Sequence, residues 1–289
     1  MVYYRWRNRG TEIMNREVLR DKKRIVVKVG SSSLTHKESG DLNFRKLEQL
    51  VRVLADLKSQ GKEVVLVSSG AQAVGRKALN LSQIPDKMAK KQALAAIGQA
   101  KLMMTYQRLF AEYNQIVAQV LLTKHTMFKE ESRNNAKNTF HELLEMGVIP
   151  IVNENDTVAT HEIEFGDNDH LSAFVLAMID ADLLIILSDI DGFYTDDPSQ
   201  NEDARLIEYV EKIDERHLKM GKETSSSAVG TGGMSAKIDA GRIVTSSGAD
   251  MVLANGKDVN ILHQILDGEV VGTYFKANKS ESFDLEAYL

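Results

Sequence analysis

Cysteine is absent from this 289-residue chain, proline occurs only three times and tryptophan once. Without cysteine there is no disulfide framework and no thiolate zinc site, which suits a reducing cytoplasm. So few prolines leave little punctuation for linkers, and neither a low-complexity segment nor an internal repeat divides the chain. No apolar run approaches the roughly 18 residues that a membrane-spanning helix needs. The seven histidines show no metal-ligand spacing such as H-E-x-x-H. A net charge of −5 exerts no global pull toward nucleic acid or an anionic membrane. What is present is ordinary for a globular chain: 43% hydrophobic and 27% charged residues, in a length that buries a sizeable core.

Charge is unevenly spread. Residues 1–24 carry eight Lys/Arg against three Asp/Glu, a surplus of +5, which leaves −10 for the rest. This segment lacks the apolar stretch of a signal peptide. It reads as a flexible basic extension over residues 1–23, the alternative being a tail that binds a polyanion. A single domain over residues 24–277 and a C-terminal tail over residues 278–289 follow.

Short β-rich apolar runs recur at residues 24–30, 63–70, 116–122, 148–153, 183–189 and 250–256. Helical patterns lie between most of them. In residues 44–61, Leu47, Leu50, Val51, Leu54 and Leu57 fall on one stripe of a 3.6-residue period. Gly61 and Gly147 stand where helices should stop in the left-handed conformation. Alternating strand and helix predicts βαβ units and a mostly parallel sheet covered on both faces, an α/β class. The serine-rich residues 221–233 are the candidate for a mobile loop.

In open sheets of this kind ligands bind at the carboxyl ends of the strands. Unusual residues cluster there: "KVGSS", "VSSGA", "VNENDT" and "LSDIDG" each follow directly on a strand. Lys28 interrupts an apolar strand, so it either snorkels to water at the strand end or meets an anion such as phosphate, with Gly30 allowing close backbone approach. "VSSGA" is either a common Ser-Gly turn or an anion site at a helix start, built on Ser69 and Gly70. Asn153, Glu154, Asn155, Asp156, Asp167, Asn168 and Asp169 crowd a short span. Turn and cap chemistry explains part of this, and Asp169 could open a helix. An amino-acid ligand could use the remainder, and so could Mg²⁺. Ser188 and Asp189 mark either a turn or a nucleotide site. The loop "GTGGMSAK", ending at Lys237, fits neither the P-loop nor the dinucleotide pattern.

Taken together, "VVKVGSSSLT", "VVLVSSGA", "KQALAAIGQAKLM", "AQVLLT", "GVIPIVNENDTVAT", "FGDNDHLSA", "LSDIDGFYTDDP" and "GTGGMSAKIDAG" resemble the amino acid kinase family, in the family's order from residue 25 to about residue 275. "NENDTVAT" with "FGDND" resembles the branch that acts on glutamate, as distinct from aspartate, carbamate, uridylate or N-acetylglutamate. The resemblance implies a three-layer αβα sandwich with a mostly parallel central sheet. It implies ATP-dependent phosphorylation of the γ-carboxylate of L-glutamate to glutamate 5-phosphate, the first step toward proline, with Mg²⁺ accompanying ATP.

By position, the resemblance makes Lys28 and Lys237 phosphate-stabilising lysines and Asp169 the aspartate that organises them. Ser69, Gly70, Asn153, Asp156 and Asn168 match the glutamate site. Lys28, Gly30, Ser188, Asp189, Thr231, Gly232, Gly233, Met234, Ser235, Ala236 and Lys237 match the nucleotide site, and the glycine loop should close on bound nucleotide. The resemblance further implies a homo-oligomer (dimer or tetramer), feedback inhibition by proline, and a functional partner in glutamate-5-phosphate reductase. It implies no nucleic-acid or membrane partner. Two departures stand out. Gln72 occupies a position where a smaller residue is expected, and no C-terminal PUA domain is expected.

Overall fold

All six apolar runs form parallel strands, because each is short and rich in Val, Ile and Leu; five are buried on both sides, while the third, at the sheet edge, is largely half-buried. The computed structural model describes residues 16–36, 39–159, 167–223 and 233–288. Its strands are β1 (Arg24–Val29), β2 (Glu63–Ser68), β3 (Val117–Leu122), β4 (Ile149–Glu154), β5 (Leu183–Ser188), β6 (Tyr209–Val210), β7 (Asp250–Asn255) and β8 (Thr273–Phe275). They make one eight-stranded sheet in the order β3-β4-β2-β1-β5-β7-β8-β6. Only the β7–β8 pairing is antiparallel among these. The two- and three-residue strands β6 and β8 extend the sheet beyond the six expected.

The helices are α1 (Ser31–Leu34), α2 (Phe44–Ser59), α3 (Ala71–Ala78), α4 (Met88–Ala111), α5 (Lys124–Phe128), α6 (Glu130–Glu145), α7 (Asn168–Met178), α8 (Glu215–Glu223), α9 (Met234–Ser247) and α10 (Ile261–Leu266). Strand alternation divides the core in two. Ile25, Val27 and Val29 pack with Leu47, Leu50, Leu54, Tyr106, Phe110 and Leu262 from α2, α4 and α10. Val26 packs with Phe140, Leu171, Phe174, Ile238 and Val244 from α6, α7 and α9. The result is the expected three-layer αβα sandwich. Gly61 and Gly147 take φ values of +85° and +73°, ending α2 and α6 as their sequence positions predict.

The chain runs β1–β2–(β3, β4) toward one edge and then returns past β1 to β5, β7 and β8. Strand order therefore reverses beside β1, and the crevice at its carboxyl end is where an open α/β sheet binds ligands. On one side of that crevice, α3 lies against α4 with almost no side chain between them. A Cβ at Gly98 would stand 1.7 Å from the Ala71 carbonyl oxygen, and one at Gly75 would stand 1.9 Å from that of Leu94. Gly98→Ala must push α3 outward, with an expected cost of about 1–3 kcal/mol. Denaturant unfolding would show this as a lowered midpoint with unchanged slope.

The folded unit reaches further toward the N-terminus than charge counting suggests. A 3₁₀-helix at Arg16–Asp21 precedes β1, with Leu19 fully buried and Arg16 2% exposed. The Arg16 guanidinium donates to the carbonyl oxygens of Glu208, Gly272 and Val271, tying this turn to the β6–β8 edge. At the other end, Asn278 and Ser280 donate backbone N–H groups to Thr245 and Ser246 of α9. Arg133 of α6 pairs with Glu286 at 2.6 Å. Residues 1–15 of the basic extension lie outside the described residues.

Candidate active site

Lys28 lies one residue before the end of β1, and strand alternation turns it to the face that α7 and α9 cover. The sheet's central position leaves it 8% exposed. An ammonium so placed needs an anion. Asp169, in the first turn of α7, supplies it: Lys28 Nζ stands 2.7 Å from Asp169 Oδ1. From the first turn of α9, Lys237 Nζ donates to Asp169 Oδ2 at 3.0 Å. Three secondary-structure elements thus bring two lysines and one fully buried carboxylate into a single cluster.

The contact to Oδ1 is a short, buried ion pair. Burial pushes the Asp169 carboxyl upward, but the Lys28 and Lys237 ammoniums outweigh it and hold the group below its ordinary range. The cluster carries two positive charges and one negative. Two ammoniums at the β1 crevice favour an anion there.

Backbone donors surround the same place. Helices α3 and α9 begin at Gly70 and Gly233 with no side-chain cap, so their first-turn N–H groups are open to anions. Gly70 requires its glycine, with φ +104°. At Gly30, with φ −83°, the backbone does not require one. A Cβ there would stand 3.7 Å from Lys28 Nζ, in the space an anion would use.

On the β2–β4 side, Asn168 Nδ2 donates to Ser69 Oγ at 2.7 Å and to Asn153 Oδ1 at 2.9 Å. Asp156 accepts from Gln72 Nε2 at 3.3 Å, so the side chain expected to be smaller reaches a residue matched to the glutamate site. On the β5–β7 side, Ser188 Oγ donates to Asp189 Oδ1 at 3.2 Å. The Ser188 carbonyl accepts from Gly256 N at 2.7 Å. Met234, Ser235 and Ala236 form the first turn of α9, half-buried. Thr231 and Gly232, with the loop expected to close on nucleotide, lie outside the described residues.

Asp167, read in the sequence as one of an acidic and amide cluster, is the N-cap of α7. Its Oδ1 accepts from the backbone N–H groups of Asp169 and His170 at 2.8 and 2.9 Å. Its Oδ2 lies 2.8 Å from His170 Nδ1. Burial lowers the His170 pKa, but Asp167 and then Asp239 outweigh that and raise it above 6.5. A raised folded value means this pair stabilises fully below pH 6.5 and loses its contribution as pH climbs through the folded pKa. His170→Gln is expected to flatten that part of the stability-against-pH curve, as read by thermal melts.

Among the described residues no group of three or more His, Asp or Glu side chains is arranged to hold a metal ion. Both Asp169 oxygens already face ammonium groups, so a divalent cation placed there would meet two positive charges. These side chains therefore form no cage of their own for Mg²⁺.

The sequence profile of the amino acid kinase family matches residues 23–255. The chain belongs to that family. The glutamate 5-kinase of Clostridium perfringens is 50% identical over 270 residues, covering 92% of this chain and all of the relative. That of Enterococcus faecalis is 48% identical over 92% of this chain and 99% of its own length. That of Carboxydothermus hydrogenoformans is 50% identical, over 93% of this chain and 72% of its own length. Among solved structures, the isopentenyl phosphate kinase of T. acidophilum superposes with a TM-score of 0.60 at 16% identity, covering 88% of this chain and all of that one. The UMP kinase of Bacillus anthracis gives 0.59 at 15% identity, covering 89% of this chain and 97% of that one. At such identities these last two speak for the fold alone.

Proposed function

We propose that the protein transfers the γ-phosphoryl group of ATP to the γ-carboxylate of L-glutamate, giving glutamate 5-phosphate and ADP. The observation that carries this reading is the Lys28–Asp169–Lys237 cluster at the β1 crevice of an amino acid kinase. Similarity to glutamate 5-kinases over nine-tenths of the chain supports the choice of acceptor.

A glutamate side chain ionises near pH ~4.3, so at neutral pH the nucleophile is already an anion and no general base is required. The obstacle is that a carboxylate must approach a polyanion. Catalysis then consists of positioning and charge neutralisation. A γ-carboxylate oxygen attacks the γ-phosphorus in line, the bond to the β–γ bridging oxygen breaks, and ADP leaves with the electron pair. Lys28 and Lys237 neutralise the equatorial oxygens of the transferred group. Asp169 keeps the two mutually repelling ammoniums together. Ser69, Gly70, Asn153, Asp156 and Asn168 hold glutamate on the β2–β4 side. Gly30, Ser188, Asp189 and the residues from Thr231 to Ala236 hold the nucleotide on the other.

Mg²⁺ enters as MgATP, part of the substrate, and spreads charge over the phosphates. The finer parts of this reading rest on the family resemblance: a cytoplasmic homo-oligomer, inhibition by proline, and hand-over of the product to glutamate-5-phosphate reductase. ADP release measured with L-glutamate, L-aspartate, UMP and isopentenyl phosphate in turn tests the acceptor. Glutamate alone should support turnover. Release with UMP or isopentenyl phosphate instead would overturn the reading.

A further inference from the structure

Behind Asn153 the hydrogen bonds continue away from the site into residues to which the sequence reading gave no role. Asn153 Nδ2 donates to Gln99 Oε1 at 3.0 Å, and Gln99 Nε2 donates to Gln119 Oε1 at 3.1 Å. Together with the Asn168-to-Asn153 bond of 2.9 Å, this makes a head-to-tail chain of four primary amides. It runs from Asn168 at the crevice, through Gln99 on α4, to Gln119, an exposed residue of the edge strand β3. Gln99 and Asn153 are 8% and 4% exposed, so they depend on each other rather than on bulk water.

A primary amide carries its donors at one end and its acceptor at the other. Turning one member alone would set N–H against N–H on one side and oxygen against oxygen on the other. Only two polarities of the whole chain are consistent: the one observed and its complete reversal. In the observed polarity Asn168 spends N–H groups on Ser69 Oγ and Asn153 Oδ1, which leaves its carbonyl oxygen to accept. Ser69, accepting from Asn168, keeps its own hydroxyl proton to donate. In the reversed polarity Asn168 would offer N–H groups, which repel an ammonium.

Resting on the reading that glutamate is the acceptor, we infer that Gln99 is a positioning residue that locks this polarity. It thereby fixes Asn168 as an acceptor for the substrate's α-ammonium and Ser69 as a donor to a substrate carboxylate. Gln99 touches no substrate itself. It acts by accepting from Asn153, which is why a carboxylate at position 99 satisfies the same need and an apolar side chain does not.

The test compares Gln99→Glu and Gln99→Met with the wild-type chain, in steady-state kinetics with MgATP and L-glutamate and in thermal melts. Gln99→Met keeps the length but lets the Asn153 amide turn. It is expected to raise KM for glutamate about tenfold, as losing one well-placed hydrogen bond would, with KM for ATP unchanged. Gln99→Glu should keep KM for glutamate within about threefold of wild type, the rescue that a purely structural role would not produce. The inference is overturned if Gln99→Met binds glutamate like wild type, if Gln99→Glu is the worse of the two, or if KM for ATP rises in parallel. Should Gln99→Met fail to fold, Gln119→Met at the exposed end of the chain replaces it. A several-fold rise in KM for glutamate alone then supports the inference, and no change overturns it. Absence of glutamate turnover in the wild-type chain would sink the proposed function instead, so the two failures are distinct.

Discussion

Replacing Asp169 with asparagine is expected to abolish turnover and to lower the thermal midpoint by about 10 °C, from a loss of about 3–5 kcal/mol. The substitution changes one atom, yet it removes the anion that faces both Lys28 and Lys237, which are 8% and 7% exposed. Two ammoniums would remain side by side without the carboxylate they share. Desolvation and mutual repulsion then destabilise the cluster and displace the two lysines proposed to face the transferred phosphoryl group. Because the missing charge is an anion, added ATP should recover more stability in Asp169→Asn than in the wild-type chain. Melts with and without nucleotide check this. The pH dependence has a definite sign. The Asp169 carboxyl is held below its ordinary value of 3.8, so its contribution is complete above that pH and is lost as pH falls through the folded value. The variant should lack that acid limb while differing most from wild type near neutrality.

Lys237→Ala separates chemistry from folding more cleanly. Asp169 keeps its 2.7 Å partner Lys28, so no buried charge is stranded, and the midpoint should fall less than in Asp169→Asn. Turnover should fall by about 10²–10³, the usual consequence of removing one charge-stabilising donor from a transition state. KM for glutamate should change little, because Lys237 lies on α9 while the residues matched to glutamate gather on the β2–β4 side. A variant that loses glutamate affinity and keeps its turnover would contradict the assigned role.

Lys28 shows why much of this centre was legible in the sequence. A charge inside an otherwise apolar strand is costly, so it signals an anion even before the partner is known. Asp169 was harder, since an aspartate near a helix start reads equally well as a cap. Its neighbour Asp167 is in fact the cap, and burial distinguishes the two only in three dimensions. The six long strands were visible because their apolar runs are nearly continuous, five of them being buried on both faces and the edge strand β3 less so. Strands β6 and β8, at two and three residues, are too short for any periodicity to register. Gln99 and Gln119 lie within two of the quoted motifs but received no role, because glutamine in an amphipathic helix or edge strand reads as solvated surface. Arg16 was counted with the basic extension for the same reason. Its role as a collector of buried carbonyls depends on contacts more than 190 positions away in sequence.

The central claim is that a glutamate γ-carboxylate attacks ATP at the Lys28–Asp169–Lys237 cluster, and trapping the acyl phosphate with hydroxylamine tests it most directly. Wild-type protein with MgATP and L-glutamate should yield γ-glutamyl hydroxamate. L-aspartate or N-acetylglutamate in its place should yield none, and Lys237→Ala should slow formation from glutamate by about 10²–10³. No hydroxamate from glutamate with the wild-type protein, or equal rates with and without Lys237, would contradict the account.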